Sequence, residues 1–414
     1  MTRGAPDRFS QSENFPMSEY QYYEFATVDR PLTQQQQAEL RSRSSRATIT
    51  ATGFVNEYHW GDLKGDPLDW MRCYFDAHVY SANWGSCRLM LRLPRSILDK
   101  VVLDDFAQRS QTGARSGYGD AFEVAEGKGF CVLDWSFNDD SGDIERFWSQ
   151  ADGPGWMMRL LPLRDELLHG DTRPIYLGWL ARLRNGELAG DDVEPPLPPG
   201  LAALTPAQTA LAEFLLLDPD WLAAAAQASP ALSTQERDNP DHDAWLAEQS
   251  LETMRITLRL LLDGCGPDAE REVRDRFRTW QRARQTPVAD PVRRSVAQIE
   301  TQLEIVRSQR LECERLARAA AEVKHQAERS RHLASLAENP DRVWKEIDTT
   351  LQRGSGAAYD QALQATRELA EAMTHAGSEL EFRRGLVRLL NSHGKRAAWM
   401  VRLSKAGFTW EPKT

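Results

Sequence analysis

The side chains best suited to chemistry stand close together early in the chain. NEYHWGDLKGDP carries Glu57, His59, Asp62, Lys64 and Asp66, and DAHV adds Asp76 and His78. Imidazoles and carboxylates ligate metals and move protons near neutral pH. His59 at the end of one strand and His78 within another would converge if those strands were neighbours, so an enzyme reading rests on His59, Asp62, Asp66 and His78. Each feature also has a plain structural account. Gly61 and Gly65 mark turns, Asp66 before Pro67 is a helix cap, and Lys64 is solvated.

Other chemistry finds no support. The five cysteines, at 73, 87, 131, 265 and 313, show no CxxC spacing and form no disulfide framework. Cys131 with His169 as base is a nucleophile pair that nothing local assembles. GARSGYGDAF and EGKGF lack the order of a phosphate loop, GxSxG is absent, and no dinucleotide fingerprint opens a helix after a strand. No cofactor and no metal is therefore expected. The tryptophans at 60, 70, 84, 135, 148, 156 and 179 read mainly as core, with one or two left for an interface.

Charge is distributed unevenly about a net of −10. Residues 201–254 hold nine acids against Arg237, whereas residues 382–414 hold eight Lys and Arg against Glu411. That contrast disfavours a nucleic-acid binder along the whole chain but leaves a basic end. In the tail Phe382, Leu386, Leu389, Leu390, Met400 and Leu403 recur at helical spacing. Arg383, Arg384, Arg388, Lys395, Arg396, Arg402 and Lys405 occupy the other surface and are the candidate contacts to a partner or a nucleic acid. Trp399 and Phe408 are expected in the core of this module.

The short helix pair, the bend at His393–Lys395 and the closing LSKAGF resemble the C-terminal ends of bacterial SWIM zinc-finger proteins, over about the last fifty residues. The zinc signature of that family, CxCx(n)CxH, is missing, so neither zinc nor the nucleic-acid role of that finger carries over. The resemblance implies a helical module that docks onto something. NEYHWGD and ANWGSCRLMLRLP are also similar to a bacterial protein family that implies no activity.

The elements that would position these residues follow from pattern. Residues 1–16 are polar and aperiodic and read as a flexible arm; residues 17–190 read as an α+β domain. Strands are expected at Tyr20–Val28, Arg46–Ala51, Phe54–Trp60, Asp76–Tyr80 and Arg88–Leu93, with helices after Thr33 and Asp66. That order suggests a ferredoxin-like or related α+β sandwich. A hairpin turns at Gly127–Gly129, and helices over Met157–His169 and Pro174–Asn185 close the region.

Prolines 195, 196, 198 and 199 then mark a linker over 191–204. Beyond it Thr205-Pro206, Asp218-Pro219, Asn239-Pro240, Gly266-Pro267 and Asn339-Pro340 are helix starts, each a capping residue before proline at the first helical position. They predict a helical domain at 205–286 and a basic helical module at 339–414. Between them lies a coiled-coil-like arm at 293–338, its seam running through Ile299, Leu303, Val306, Cys313, Ala320 and Ala327.

No apolar run is long enough to cross a bilayer and the N-terminus carries no secretory signal, so a soluble cytoplasmic protein without membrane contact is expected. The leading functional expectation is a non-enzymatic adaptor or subunit of a bacterial multi-protein system, self-association through 293–338 included. Nucleic-acid binding by the basic tail and an enzyme built on the His/Asp residues are the alternatives.

Overall fold

The computed structural model describes residues 19–95, 100–107, 119–138, 146–147, 154–232, 240–284 and 293–408. The expected arm at 1–16, Trp148 and the cap Asn239 lie outside the described residues. The chain divides into two compact units, Met1–Arg307 and Ser308–Thr414.

Seven strands build the first unit: β1 (Gln21–Ala26), β2 (Thr48–Ile49), β3 (Gly53–Tyr58), β4 (Ala77–Ala82), β5 (Cys87–Pro94), β6 (Phe122–Glu126) and β7 (Phe130–Phe137). They form one antiparallel sheet in the order β2-β3-β1-β4-β5-β7-β6. The α+β class is the one read from the sequence, and the order β4-β1-β3-β2 of the first four strands is ferredoxin-like. That fold interleaves two split βαβ units. Here β1 to β2 through α1 (Gln34–Arg43) straddles β3, β3 to β4 through α2 (Pro67–Cys73) straddles β1, and β5, β7 and β6 extend the sheet from β4.

Alternation along the strands gives the sheet two buried faces. One presents Phe25, Phe54, Met90 and Val132, which pack with Trp70 and Met71 of α2 and Leu40 of α1 (Gln34–Arg43). Thr33 caps α1 through a reciprocal box with Gln36, and Asp66 caps α2 by accepting from the Leu68 amide. The other face presents Val79, Leu89, Leu91, Leu133 and Trp135 to a layer of helices. These include α3 (Lys100–Ala107), α4 (Trp156–Leu160), α5 (Pro162–Leu168), α6 (Arg173–Arg184), α7 (Pro206–Phe214) and α8 (Pro219–Ala228). Pro162 breaks the helix expected over Met157–His169 into α4 and α5, since a helix interior cannot accommodate its ring. Helix α3 has no counterpart in the sequence reading.

The proline-rich stretch does not separate two cores. Leu201, Leu211, Phe214 and Trp221 join the same cluster as the sheet. Glu194, in the middle of the stretch, is buried; it accepts from Tyr176 Oη at 2.5 Å and from Arg294 at 2.6 and 2.8 Å. Val193 bridges Ser295. Prolines forbid helix and ladder, but they leave carbonyls and neighbouring side chains free to strap the segment down. Thr205 and Asp218 cap α7 and α8 as their spacing predicts.

Helices α9 (Pro240–Ala247), α10 (Leu251–Leu262) and α11 (Gly266–Arg284) follow, with α10 burying no residue. Helix α12 (Val296–Glu338) runs on without Gly or Pro. Its seam is not free for pairing with another helix along its length. Ile299, Leu303 and Val306 are already consumed by the core of the first unit, while Cys313, Ala320 and Ala327 stand exposed. The middle of α12 is exposed, with Leu311, Leu316 and Val323 standing among charged residues. Ion pairs one turn apart support it, among them Arg310–Glu314 at 2.7 Å and Arg315–Glu312 at 2.7 Å. Such pairs stabilise a helix by about 0.2–0.5 kcal/mol each and suit a helix that spans solvent.

In the second unit α13 (Pro340–Gln352), α14 (Gly356–His375), α15 (Glu379–His393) and α16 (Ala397–Lys405) close on their own core. Trp344, Ile347, Leu351, Leu369, Phe382, Leu389, Trp399 and Leu403 form it, and Leu336 and Phe408 pack against it. Gly385 is required where α15 crosses α13, because a Cβ there would overlap the Trp344 indole. Trp399 is buried and Phe408 half-buried, as the tail pattern predicts.

Fragments test the division. Residues 308–414 alone are expected to give a helical circular dichroism spectrum and a cooperative melt. Residues 1–200 lack the cover supplied by Leu211, Phe214, Trp221 and Ile299, so this fragment is expected to precipitate or bind a hydrophobic dye. A cooperative melt from 1–200 would restore the linker as a domain boundary.

Candidate functional site

Two places hold the residues that sequence analysis singled out. The first is a pocket of about 330 Å³ on the α2 side of the sheet. Its walls include Tyr23, His78, Tyr80, Arg88, Glu123 and Asp134, contributed by β1, β4, β5, β6 and β7. Cross-strand register brings them together: Tyr23 lies opposite Tyr80, Tyr80 opposite Arg88, and Glu123 opposite Asp134.

His78 is fully buried, with its ring stacked on Phe25 at 3.9 Å between centroids. Nδ1 lies 3.0 Å from the Glu24 carbonyl oxygen. A carbonyl only accepts, so Nδ1 carries the proton and Nε2 presents a lone pair. Among the described residues nothing donates to Nε2. Burial, helped by the nearby Arg88 guanidinium, pushes the imidazole pKa down to about 3. The ring is therefore neutral across the physiological range.

Arg88 makes a bidentate pair with Asp134, at 2.6 to 3.2 Å. Burial pushes the Asp134 carboxyl above the usual carboxylate range despite the bonds from Arg88. Tyr23 Oη donates to Asp62 at 2.6 Å, and burial, with that bond, holds the Tyr23 phenol far above its ordinary value. Asp66 lies beside Pro67 of the pocket wall and exerts its charge on Arg88 and Asp134.

Asp62, Asp66 and His78 thus gather around one pocket, and His59 does not. Alternation sends His59 to the opposite sheet face, where its ring meets Tyr20 at 5.4 Å. A metal or proton relay shared by His59 and His78 is excluded by that separation of faces. Among the described residues no group of three or more His, Cys, Asp or Glu is arranged to hold a metal ion. Asp76 works structurally: it accepts from the Val28 and Asp29 amides at 2.7 and 3.0 Å and pairs with Arg92 at 2.6 Å.

Sequence reasoning missed Tyr23, Tyr80, Arg88, Glu123 and Asp134. The signal was present in β5 and β7. In CRLMLRLP two arginines alternate with buried aliphatics, and in FCVLDWSF one carboxylate interrupts an apolar run. Charges embedded so deeply in strands need partners.

The second place is a groove of about 1020 Å³ in the second unit, between α13, the end of α14 and α15. Trp344 and Met373 form its apolar floor, with Leu380 and Val387 beside them. Leu380, Arg384, Val387 and Asn391 repeat at helical spacing on one face of α15. Leu380 is 72% and Val387 42% exposed. Arg383, Arg384 and Arg388 rim the groove together with Asp341 and Glu381. Arg388 reaches Asp341 at 3.5 Å, whereas Arg383 and Arg384 make no ion pair among the described residues.

The other tail cations serve differently. Arg396 donates to the Leu351 carbonyl at 2.5 Å and to Tyr359 Oη at 3.4 Å. Arg402 pairs with Asp360 at 2.7 Å and lies over the Tyr359 ring. Lys395 and Lys405 are exposed.

Two predictions follow from the pocket. Arg88→Leu leaves Asp134 buried without its cation and is expected to cost about 3–5 kcal/mol, while Arg88→Leu with Asp134→Leu costs markedly less. Urea denaturation of the single and double variants measures both, and equal losses would contradict the pairing.

The His78 imidazole titrates lower in the folded than in the unfolded chain. Its contribution to stability is complete above about pH 6.5 and is lost as pH falls toward 3. His78→Phe keeps a ring against Phe25 and should flatten the stability curve over that window. Parallel curves for wild type and variant would contradict it.

No protein-family model matches the chain, and no curated protein or solved structure matches it either.

Proposed function

We propose that the chain is a non-enzymatic adaptor whose C-terminal unit receives an acidic, amphipathic helical segment of a partner protein. The observation that carries this reading is the groove on α13 and α15: an apolar floor of Trp344 and Met373, exposed Leu380 and Val387, and a rim of Arg383, Arg384 and Arg388. A helix presents anchors at i, i+3, i+4 and i+7, which suits a groove of this kind. Arg383 and Arg384 favour carboxylates on the flank of that helix, and the excess of positive over negative charge on the rim raises the rate of encounter.

A nucleic acid would use the same arginines but would leave the apolar floor uncovered. Its binding would also fall much more steeply with salt, through release of condensed counterions. The apolar floor is what favours a protein segment.

A photo-crosslinking residue placed at Val387 of the full chain tests the reading, with Val401 on α16 as control. The expected product at Val387 is a protein whose crosslinked peptide is an acidic amphipathic helix. Arg383→Glu with Arg384→Glu should weaken a synthetic copy of that peptide about tenfold or more. Crosslinks to nucleic acid, or equal labelling at Val387 and Val401, would overturn the proposal.

A further inference from the structure

Helix α10 belongs to the first unit and presents an apolar face that the described residues leave uncovered. Thr253, Thr257 and Leu260 share one side and are half-buried. Arg276 of α11 donates to Thr257 Oγ1 there, at 2.8 Å. On another side stand Leu251, Met254, Leu258, Leu261 and Leu262, between 37% and 88% exposed. Five large side chains in one stripe form a patch that a monomer rarely leaves in water.

The steps along 251, 254, 258 and 261 are those of a coiled-coil seam, and they are the same read in either direction. A second copy laid antiparallel therefore sets Leu251 against Leu261 and Met254 against Leu258. Both contacts recur across a two-fold axis at the level of Ile256. The flank agrees with that order. Glu252, Arg255 and Arg259 make no ion pair among the described residues. In the antiparallel register Glu252 of one copy comes level, to about one residue's rise, with Arg259 of the other. A parallel pair would set every charge beside its like, and its helix dipoles would oppose association.

Glu252 and Asp263 balance Arg255 and Arg259, so no net charge draws this face to an anionic lipid surface or to an acidic helix. Helices of 12 residues bury less than about 1,200 Å² as a pair, which is the range of weak and reversible contacts.

We infer that α10 is a self-association surface, on which a second copy of this chain docks its own α10 antiparallel in a two-fold dimer. The dimer exchanges with monomer at micromolar concentration. This face, and not the α12 arm, supplies the seam.

Sedimentation velocity of the full chain from about 1 to 200 µM tests the inference, and a monomer–dimer equilibrium is expected. Leu258→Glu and Met254→Lys should each weaken association about tenfold or more, with an unchanged melt in dilute solution. An equimolar mixture of the two variants should recover the dimer, because the antiparallel register sets the two new charges against each other. Should either variant fail to fold, Leu251→Lys with Leu261→Glu makes the same exchange. Leu316→Glu on α12 and Leu380→Glu in the groove should leave the dimer intact.

A chain that stays monomeric, a dimer indifferent to Leu258→Glu, or a mixture that stays monomeric would each overturn the inference. Loss of the dimer in Leu316→Glu would do the same, as would a monomer that sediments with phosphatidylglycerol vesicles. Failure of the groove to take a partner helix would leave the result untouched, since the two surfaces lie in different units.

Discussion

An antiparallel sheet with apolar side chains on both faces must be covered twice, and the first unit is organised around that requirement. Helices α1 and α2 cover one face; α3 to α8 and the start of α12 cover the other. The two layers are tied at the sheet rim by charge. Arg164, almost wholly buried on α5, pairs with Asp29 at 2.8 Å and donates to the Arg92 carbonyl at 3.0 Å. Arg92 in turn holds Asp76, whose carboxylate takes the Val28 and Asp29 amides. Loss of one member would strand a buried charge, and that penalty exceeds the worth of the pair itself.

Local signals were legible in the sequence wherever they were chemical. Thr33, Asp66, Thr205, Asp218 and Asn339 satisfy amides that any helix start leaves open, and each caps the helix that its spacing predicts. The tail could be read for the same reason: its apolar spacing is that of a helix, and Trp399 occupies the core. Order among the first four strands was legible too, because the β-α-β-β-α-β succession is that of a ferredoxin-like sandwich. The extension of the sheet from β4 through β5, β7 and β6 was not, since it depends on which strands find each other and no single strand encodes that choice.

The proline stretch misled for a related reason. Proline composition reports what the backbone cannot do, whereas Glu194, Tyr176 and Arg294 decide where the segment goes. Their partners lie 18 and 100 positions away. His59 and His78 show the limit at the site. Their types suggested a pair, but the two-residue period of a strand put them on opposite faces. The pocket that does form was hidden because Tyr23, Arg88 and Asp134 come from three strands and look like sheet residues until register aligns them.

The late position of residues that complete the first core bears on synthesis. Strands β1 to β7 are finished by Phe137, but part of their helical face waits for Leu211, Phe214, Trp221 and, last, Ile299 and Leu303. At ribosomal rates the chain between those points takes on the order of ten to thirty seconds to emerge. Through that interval aliphatic surface on β5 and β7 lacks its final lid. A nascent chain of this design has a long window in which a chaperone can engage it, and the same window exposes it to aggregation before the last helix arrives.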